Sequence, residues 1–468
     1  MKKFNVIKVS LLAIGLISIQ SCFVAKDYQR PEGVQTEAQF RTDVVAQQDK
    51  TIADISWQEF FSDATLKSYI TKGLQNNLDI RTAIQNIAVT EAYMRQGKSG
   101  YLPTLTVGPG YTYTRTSANT QFGRITGAQS LSQYDLTGNF SWEADIWGKI
   151  RSNYRGTAAN YLQTIEAHKA VQTNIVSTIA NTYYQLIALD EQKRAINETI
   201  GFRENSLETM KALKEAGNVT QVAVNQSEAQ LYNAKALLVD VEANIIVNEN
   251  VLNVLLGETP KVLERGTIDS QSISSELAVG VPAQILENRP DVKAAEYALV
   301  NSFENVNIAN ASFYPSLTLT AAGGLQGIDL DRLFDAHSLF ANVVARLAQP
   351  ILQKRQLKTQ KEVALANQEK ALLAYKKSIL SASKEVSDAL ARYQAADKKI
   401  PLKEKEFQLY DQSIDYSQEL LNYGMANYLE VLTAREAALN AELAVINAKF
   451  TKLNSVVELY RSVGGGWK

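Results

Sequence analysis

LQNNLDIRTAIQNIAVTEAYMRQGKSGYLPTLTV, residues 74–107, aligns without a gap onto LENRPDVKAAEYALVNSFENVNIANASFYPSLTL, residues 286–319. Leu74, Asn76, Asp79, Ala83, Pro103, Leu105 and Thr106 fall on Leu286, Asn288, Asp291, Ala295, Pro315, Leu317 and Thr318. A second pair follows, with residues 213–257 running onto 420–464. It matches Leu213, Gly217, Val224, Asn233, Ala234, Leu252 and Gly257 with Leu420, Gly424, Val431, Asn440, Ala441, Leu459 and Gly464. The chain is a duplicated unit of roughly two hundred residues, and each copy should build the same supersecondary structure.

Each copy changes character where the first match ends. Between Pro103 and Asp145, Leu105, Val107, Tyr111 and Tyr113 alternate with threonines 104, 106, 112 and 114; on the return, Tyr134, Leu136, Phe140 and Trp142 alternate with Asp135, Thr137, Asn139 and Glu143. Period two over about ten residues, with aromatics on the apolar side, is a strand signature. The polar link 116–130 joins the two strands as a long-looped hairpin. A second hairpin, about 315–349, repeats the pattern through Leu317, Leu319 and Ala321 going out and Leu339, Ala341, Val343, Ala345 and Leu347 coming back. Strands of this length with long loops at one end fit a tilted crossing of a bilayer; amphipathic hairpins on a soluble core are the alternative.

Around the hairpins the sequence is rich in Ala, Gln, Glu, Lys and Leu over 156–216, 217–257, 352–423 and 424–464, and reads as unusually long helices. Leu365, Leu372, Ile379, Val386 and Tyr393 fall every seventh residue, with Gln368, Tyr375, Ala382, Ala389 and Ala396 three further on. Val224, Leu231, Leu238, Ile245 and Leu252 form such a column in one later helix, and Leu432, Leu439, Ile446, Leu453 and Tyr460 form one in the other. These are heptad seams of antiparallel coiled helices. A helix over 352–423 would be on the order of 100 Å long at 1.5 Å per residue, a length suited to spanning a compartment. Gly217 and Gly424 divide one long helix from the next, so both should sit at helix turns far from the strands.

The 468 residues carry 48 Lys plus Arg against 49 Asp plus Glu, a balance that offers no basic footprint for nucleic acid. The start is more informative. MKKFNVIKVS supplies a basic segment, an apolar run from Val9 to Ile19 follows, and Ile19-Gln20-Ser21-Cys22 ends it, so residues 1–21 read as an export signal. Cys22 is the only cysteine, and its setting resembles the bacterial lipobox, which implies acylation there; Phe23 in place of Asp favours the outer membrane. After Cys22 no run of eighteen apolar residues occurs, so any membrane crossing must use a closed β-barrel.

Chemistry-bearing motifs are missing. His168 lies on the helix column Ile175, Thr182, Leu189, Ile196, and His337 in the second inter-strand loop; no HExxH, cysteine pair, phosphate loop or GxSxG is present. Enzymatic function, a metal site and a cofactor are not expected.

SWEADIWGKIR at 141–151, Arg289-Pro290-Asp291-Val292 at the start of the second copy, Tyr314-Pro315 before its strand and the Gly-Gly-Gly-Trp near the end together resemble the outer-membrane efflux proteins, the TolC-like lipoprotein branch. The resemblance covers nearly all of the chain after the signal. It implies a mainly α fold with a membrane β-barrel part: long helices in a periplasmic α-barrel, and four strands per chain given to a twelve-stranded barrel of a homotrimer. By domain it implies a lipidated equatorial segment at 22–62, a first repeat at 63–260, an equatorial linker at 261–283 and a second repeat at 284–468. It also implies a gate near the second glycine turn, with Leu429 as the apolar position and Glu430 as an acidic one. Thr433 stands at the second commonly acidic position, and Glu436 replaces a residue that is basic in some relatives. The partners it implies are outer-membrane lipid, a periplasmic adaptor docked around Gly217 and Gly424, and an inner-membrane transporter of the resistance-nodulation-division type. A conduit for polypeptide secretion and a non-channel coiled-coil scaffold lipoprotein are the competing readings; in the bland reading Glu430 and Glu436 are merely solvated helix residues.

Overall fold

The computed structural model describes residues 24–31, 51–127, 129–271 and 288–468; the export signal and Cys22 lie outside them. The elements are α1 (Trp57–Phe60), α2 (Ala64–Asn76), α3 (Leu78–Ser99), β1 (Thr104–Arg115), α4 (Gln121–Thr126), β2 (Ser130–Ala144), α5 (Lys149–Glu215) and α6 (Gln221–Leu255), then α7 (Pro290–Ala311), β3 (Ser316–Gly327), β4 (Leu339–Ala348), α8 (Gln356–Asn422) and α9 (Tyr428–Ser462). The duplication reappears in element lengths: α3 and α7 have 22 residues each, α5 and α8 67 each, and α6 and α9 35 each. Among the described residues no helix is long and apolar enough to cross a membrane.

The chain divides into two compact units. The first, drawn from 24–31, 88–163 and 296–374, holds the strands. They form one antiparallel sheet in the order β1-β2-β3-β4. Asp145 ends the first hairpin and starts α5: its two carboxylate oxygens accept from the amides of Ile150 (2.9 Å) and Arg151 (2.8 Å), satisfying donors that a helix start leaves orphaned. Beside it the Trp147 indole donates to the Pro315 carbonyl at 2.7 Å and its ring lies 4.9 Å from that of Tyr314. Trp142 likewise donates to the Tyr101 carbonyl at 3.0 Å. The segment 24–31 is strapped to α7 by a reciprocal pair between the Lys26 backbone and the Asn307 amide, and by a bidentate Arg30–Glu296 ion pair.

The second unit, drawn from 51–87, 164–271, 288–295 and 375–468, is helical. The heptad columns become its seams: Val224, Leu231, Ile245 and Leu252 on α6 are buried, as are Leu432, Leu439, Ile446, Leu453 and Tyr460 on α9, and Ile379, Val386, Tyr375, Ala382, Ala389 and Ala396 on α8. His168 is half-buried at the head of its column. One part of the predicted α8 column departs: Leu365, in the first unit, is exposed and Ala364 is buried in its place. A straight α-helix drifts about 20° per heptad against a strict seven-residue repeat, and over a helix this long the drift moves the buried face by one position. Both copies close alike. Gly257 packs on the Asn76 backbone so closely that a Cβ would lie 2.8 Å from its carbonyl oxygen, and Gly464 does the same on Asn288 at 2.6 Å.

Two polar clusters fasten the second unit. Arg289, almost wholly buried, donates to Asp291 (2.6 Å), to Glu385 (2.9 Å) and to the Ser462 carbonyl (2.9 Å) at the end of α9. Asp63 caps α2 through the amides of Thr65 and Leu66 and accepts from the Tyr183 hydroxyl and the Gln271 amide, each at 2.7 Å. Burial by itself would push the Asp63 carboxyl up, but the hydrogen bonds from Gln271, Tyr183 and the two amides outweigh it and hold the group below the ordinary 3.8. A depressed carboxylate contributes stability that is present above its unfolded value and lost as pH falls through its folded one. Asp63→Asn should therefore lower the melting temperature at neutral pH and flatten its decline below pH about 4; parallel melting profiles for variant and wild type would refute this. Arg289→Met leaves two carboxylates and a carbonyl without their partner. It should cost about 2–3 kcal/mol in chemical unfolding, the lower range for a broken pair whose acids keep some solvent contact.

Candidate functional site

Two features are candidates for function: the sheet of the first unit and the helix-turn end of the second. In the sheet, register turns alternation into two chemically distinct faces. Leu105 pairs with Phe140, Tyr111 with Tyr134, Phe140 with Ala321, Trp142 with Leu319, Leu319 with Ala345 and Ala321 with Val343. Every apolar position predicted from the alternation thus lies on one face. The opposite face carries Thr106 against Asn139, Glu143 against Thr318, and Thr318 against Arg346. The apolar face is open: Leu105, Val107, Tyr111, Leu339, Val343 and Leu347 are all exposed in the chain. A patch of that extent marks a surface that something covers. At one end of the strands Trp142, Trp147, Tyr101 and Tyr314 cluster, as aromatic girdles do at a membrane interface. Among the described residues β1 and β4 each pair on one side only.

In the second unit, α5 and α8 both end in the same reverse turn. Gly217 (φ +77°) and Gly424 (φ +72°) take the left-handed conformation, the Asn218 amide returns to the Leu213 carbonyl at 2.9 Å and the Met425 amide to Leu420 at 2.8 Å. Neither glycine has an atom within 4 Å of where a side chain would stand, so the turns are open to contact from outside. The helices that follow differ. Asn427 caps α9 by accepting from the Glu430 amide at 3.2 Å, whereas Thr220 at the start of α6 makes no such bond.

The four residues read from the sequence lie together on the first turns of α9. Leu429, Thr433 and Glu436 stack along the helix, the Thr433 hydroxyl donates to the Leu429 carbonyl at 2.8 Å, and Glu430 stands beside them; all four are exposed, with Leu429 at 55 %. Behind them lies polar chemistry that sequence reasoning missed. The Glu436 carboxylate accepts from the Gln230 amide of α6 at 3.2 Å, and buried Arg203 of α5 donates to the Gln230 carbonyl. Arg435 lies over the Phe202 ring at 4.6 Å, beside a cleft of about 450 Å³ that Asp411, Asp415 and Glu442 also line. Burial draws the Arg203 guanidinium down from its ordinary value, with Glu436 the chief opposing charge, and draws Arg435 down as well. Arg203 could have been found, because it continues the column His168, Ile175, Thr182, Leu189, Ile196 by seven residues; Gln230 left no such signal. Among the described residues no cluster of His, Cys, Asp or Glu has the geometry to hold a metal ion.

Comparison with known proteins agrees with this architecture. The family model for outer membrane efflux proteins matches residues 69–258 and 281–465. The toluene efflux pump outer membrane protein TtgF of Pseudomonas putida is 29 % identical over 470 residues, covering 98 % of this chain and 97 % of its own. The probable outer membrane lipoprotein SilC of Salmonella typhimurium is 26 % identical over 465 residues, covering 98 % of this chain and 99 % of its own. The open state of the MtrE outer membrane channel of Neisseria gonorrhoeae superposes with a TM-score of 0.85 at 24 % identity, over 96 % of this chain and 99 % of that one, and so shares the fold. With the family model matched across both copies, the chain belongs to the outer membrane efflux protein family, whose members are channels and not enzymes.

Proposed function

We propose that three copies of this chain form the exit duct of an efflux system, a passive conduit that carries small molecules from an inner-membrane pump across the outer membrane. The observation that carries this reading is the sheet: four strands, one apolar face and, among the described residues, two unpaired edges. In lipid no strand edge stays unpaired, so the sheet must be closed by copies of itself, and three copies give a twelve-stranded barrel. Strands of 10 to 15 residues suit the thickness. Twelve residues at about 3.3 Å each, tilted about 45°, span roughly 28 Å, close to the apolar band of such barrels.

In this reading residues 1–21 are removed on export, Cys22 is the acylated first residue, and the repeats occupy 63–260 and 284–468; of the equatorial segments 22–62 and 261–283, residues 22–23, 32–50 and 272–283 lie outside the described ones. The helices line a periplasmic α-barrel, and a periplasmic adaptor docks at the turns at Gly217 and Gly424. The energy comes from a transporter of the resistance-nodulation-division type, and the duct itself passes what that pump delivers. SilC, described as an outer membrane lipoprotein, supports the anchor, and the efflux names of the relatives favour small molecules over polypeptides.

Leu429, Glu430, Thr433 and Glu436 form the constriction at the periplasmic entrance. The exposure of Leu429, Glu430 and Thr433 on α9 supports this, since a ring-forming residue must point away from its own chain, while Glu436 also accepts from Gln230 of α6. An exposed leucine stacked with polar groups is the makings of a ring that gates by excluding water and by charge. Opening is a rearrangement of packed helices that draws the three α9 faces apart.

Two experiments test the reading. Leu429→Ala with Glu430→Ala should raise single-channel conductance in a planar bilayer about twofold or more, because it removes an apolar and an acidic ring together; unchanged conductance would refute the gate. Cys22→Ser should abolish incorporation of labelled palmitate while the trimer still forms, and persistent labelling would refute the anchor.

A further inference from the structure

The duplication supplies a contact whose two halves are seen joined in one place and separate in another. At the β2–β3 pair, Trp147 stands three residues beyond the strand end at Ala144. It packs on Tyr314, two residues before the start of β3 at Ser316, and donates to the Pro315 carbonyl at 2.7 Å. Counted from the strand ends, the equivalent places in the other copy are Ile351 and Leu352, three and four residues beyond the end of β4 at Ala348, and Leu102, two residues before the start of β1 at Thr104. In the chain these do not meet, because β4 and β1 lie at opposite edges of the sheet. Ile351 is 88 % exposed, Leu352 94 % and Leu102 66 %.

The turn that presents Ile351 and Leu352 is itself unusual. Lys354 (φ +45°) and Arg355 (φ +66°) are consecutive left-handed residues with side chains. Such residues are disfavoured by the contact of Cβ with the backbone and persist only where their surroundings require them. In the first copy the corresponding bend is made by Gly148 (φ +77°), without that cost.

We propose that Ile351 and Leu352 of one copy clasp Leu102 of the next, as Trp147 clasps Tyr314 within a copy, and that this clasp fixes the register in which β4 pairs with its neighbour's β1. The inference rests on the ring of copies proposed above and adds the contact that aligns it. The occupant is a second copy because the two half-sites sit at the two unpaired edges, at the same end of the strands, in the positions that the closed contact occupies at β2–β3. A register slip of one residue would turn every side chain of the edge strand to the wrong face. Backbone pairing is indifferent to such a slip, whereas a side-chain clasp beside the strand ends is not.

The test uses the full-length protein with Leu102→Cys and Leu352→Cys together. Oxidation should yield covalent dimers and trimers on a non-reducing gel, which neither single variant gives. In a second variant, Ile351→Asp with Leu352→Asp, the fraction of trimer surviving denaturant should fall about tenfold or more, as removal of two apolar contacts at an interface requires. A wild-type trimer by native mass spectrometry with no cross-linking in the double-cysteine protein would overturn the clasp and leave the duct intact. Absence of a wild-type trimer would overturn the duct reading itself. A spin label at position 352 relaxed by oxygen as in lipid would place the pair against the membrane instead and overturn the clasp.

Discussion

The structure depends on one constraint: a sheet with an apolar face and two open edges cannot exist alone in either water or lipid. In water the apolar face is a liability, and in lipid the unpaired amides and carbonyls of β1 and β4 are. Both are removed only when the sheet closes on copies of itself inside a bilayer. That requirement fixes the rest of the chain's logic. An element that is complete only as part of a ring must be exported, inserted and joined to helices whose own seams also favour association, and the long heptad columns do that with little core per residue.

The helices answer to different physics. A 67-residue helix carries only as much stability as the faces it buries, and in α8 the buried column runs from Tyr375 to Ala396. Pro401 lies inside α8 and removes one amide without ending it, which shows that packing along the seam outweighs the local cost. Where such helices do end, a left-handed glycine reverses the chain, and the clusters at Asp63 and Arg289 hold their middles, through Tyr183 of α5 and Glu385 of α8. Stiffness comes from the seams, position from a few buried polar networks.

Much of this was legible because it is periodic. Every apolar residue that alternation named lies on the sheet's open face, where register adds Leu325 between Leu136 and Leu339. Seven-residue spacing named most of the buried column residues; Leu238, Leu372 and Tyr393 are only half-buried, and at Leu365, which is exposed, the mismatch between 3.5 and 3.6 residues per turn has accumulated. What the sequence hid are the single polar contacts between elements distant in the chain. Asp145 serves two amides five and six residues on, Glu436 accepts from Gln230, and Asp63 reaches Tyr183 and Gln271. Such contacts have no period and are set by how helices pack. Arg203 lies between the two cases, since its place on an apolar column was visible although its partner was not.

The two copies also show how a duplicated unit acquires a function that neither half had. Where the halves agree, in helix length and in the Asn76–Gly257 and Asn288–Gly464 junctions, the agreement maintains a frame that sees both copies as equivalent. Where they differ, the difference lies at helix starts and strand ends. Val222-Ala223 stands where Leu429-Glu430 stands in the other copy, and only the second of these helices has a side-chain cap to hold its first turn. Trp147 with Gly148 stands opposite Leu352 with two left-handed cationic residues. A closed ring built from alternating copies needs equivalent walls, or it would not close. In the duct proposed above a constriction needs no such equivalence, because a ring from one copy alone is enough to narrow a passage. Divergence is therefore found at the helix turns and at the strand ends, and is absent from the Asn76–Gly257 and Asn288–Gly464 junctions.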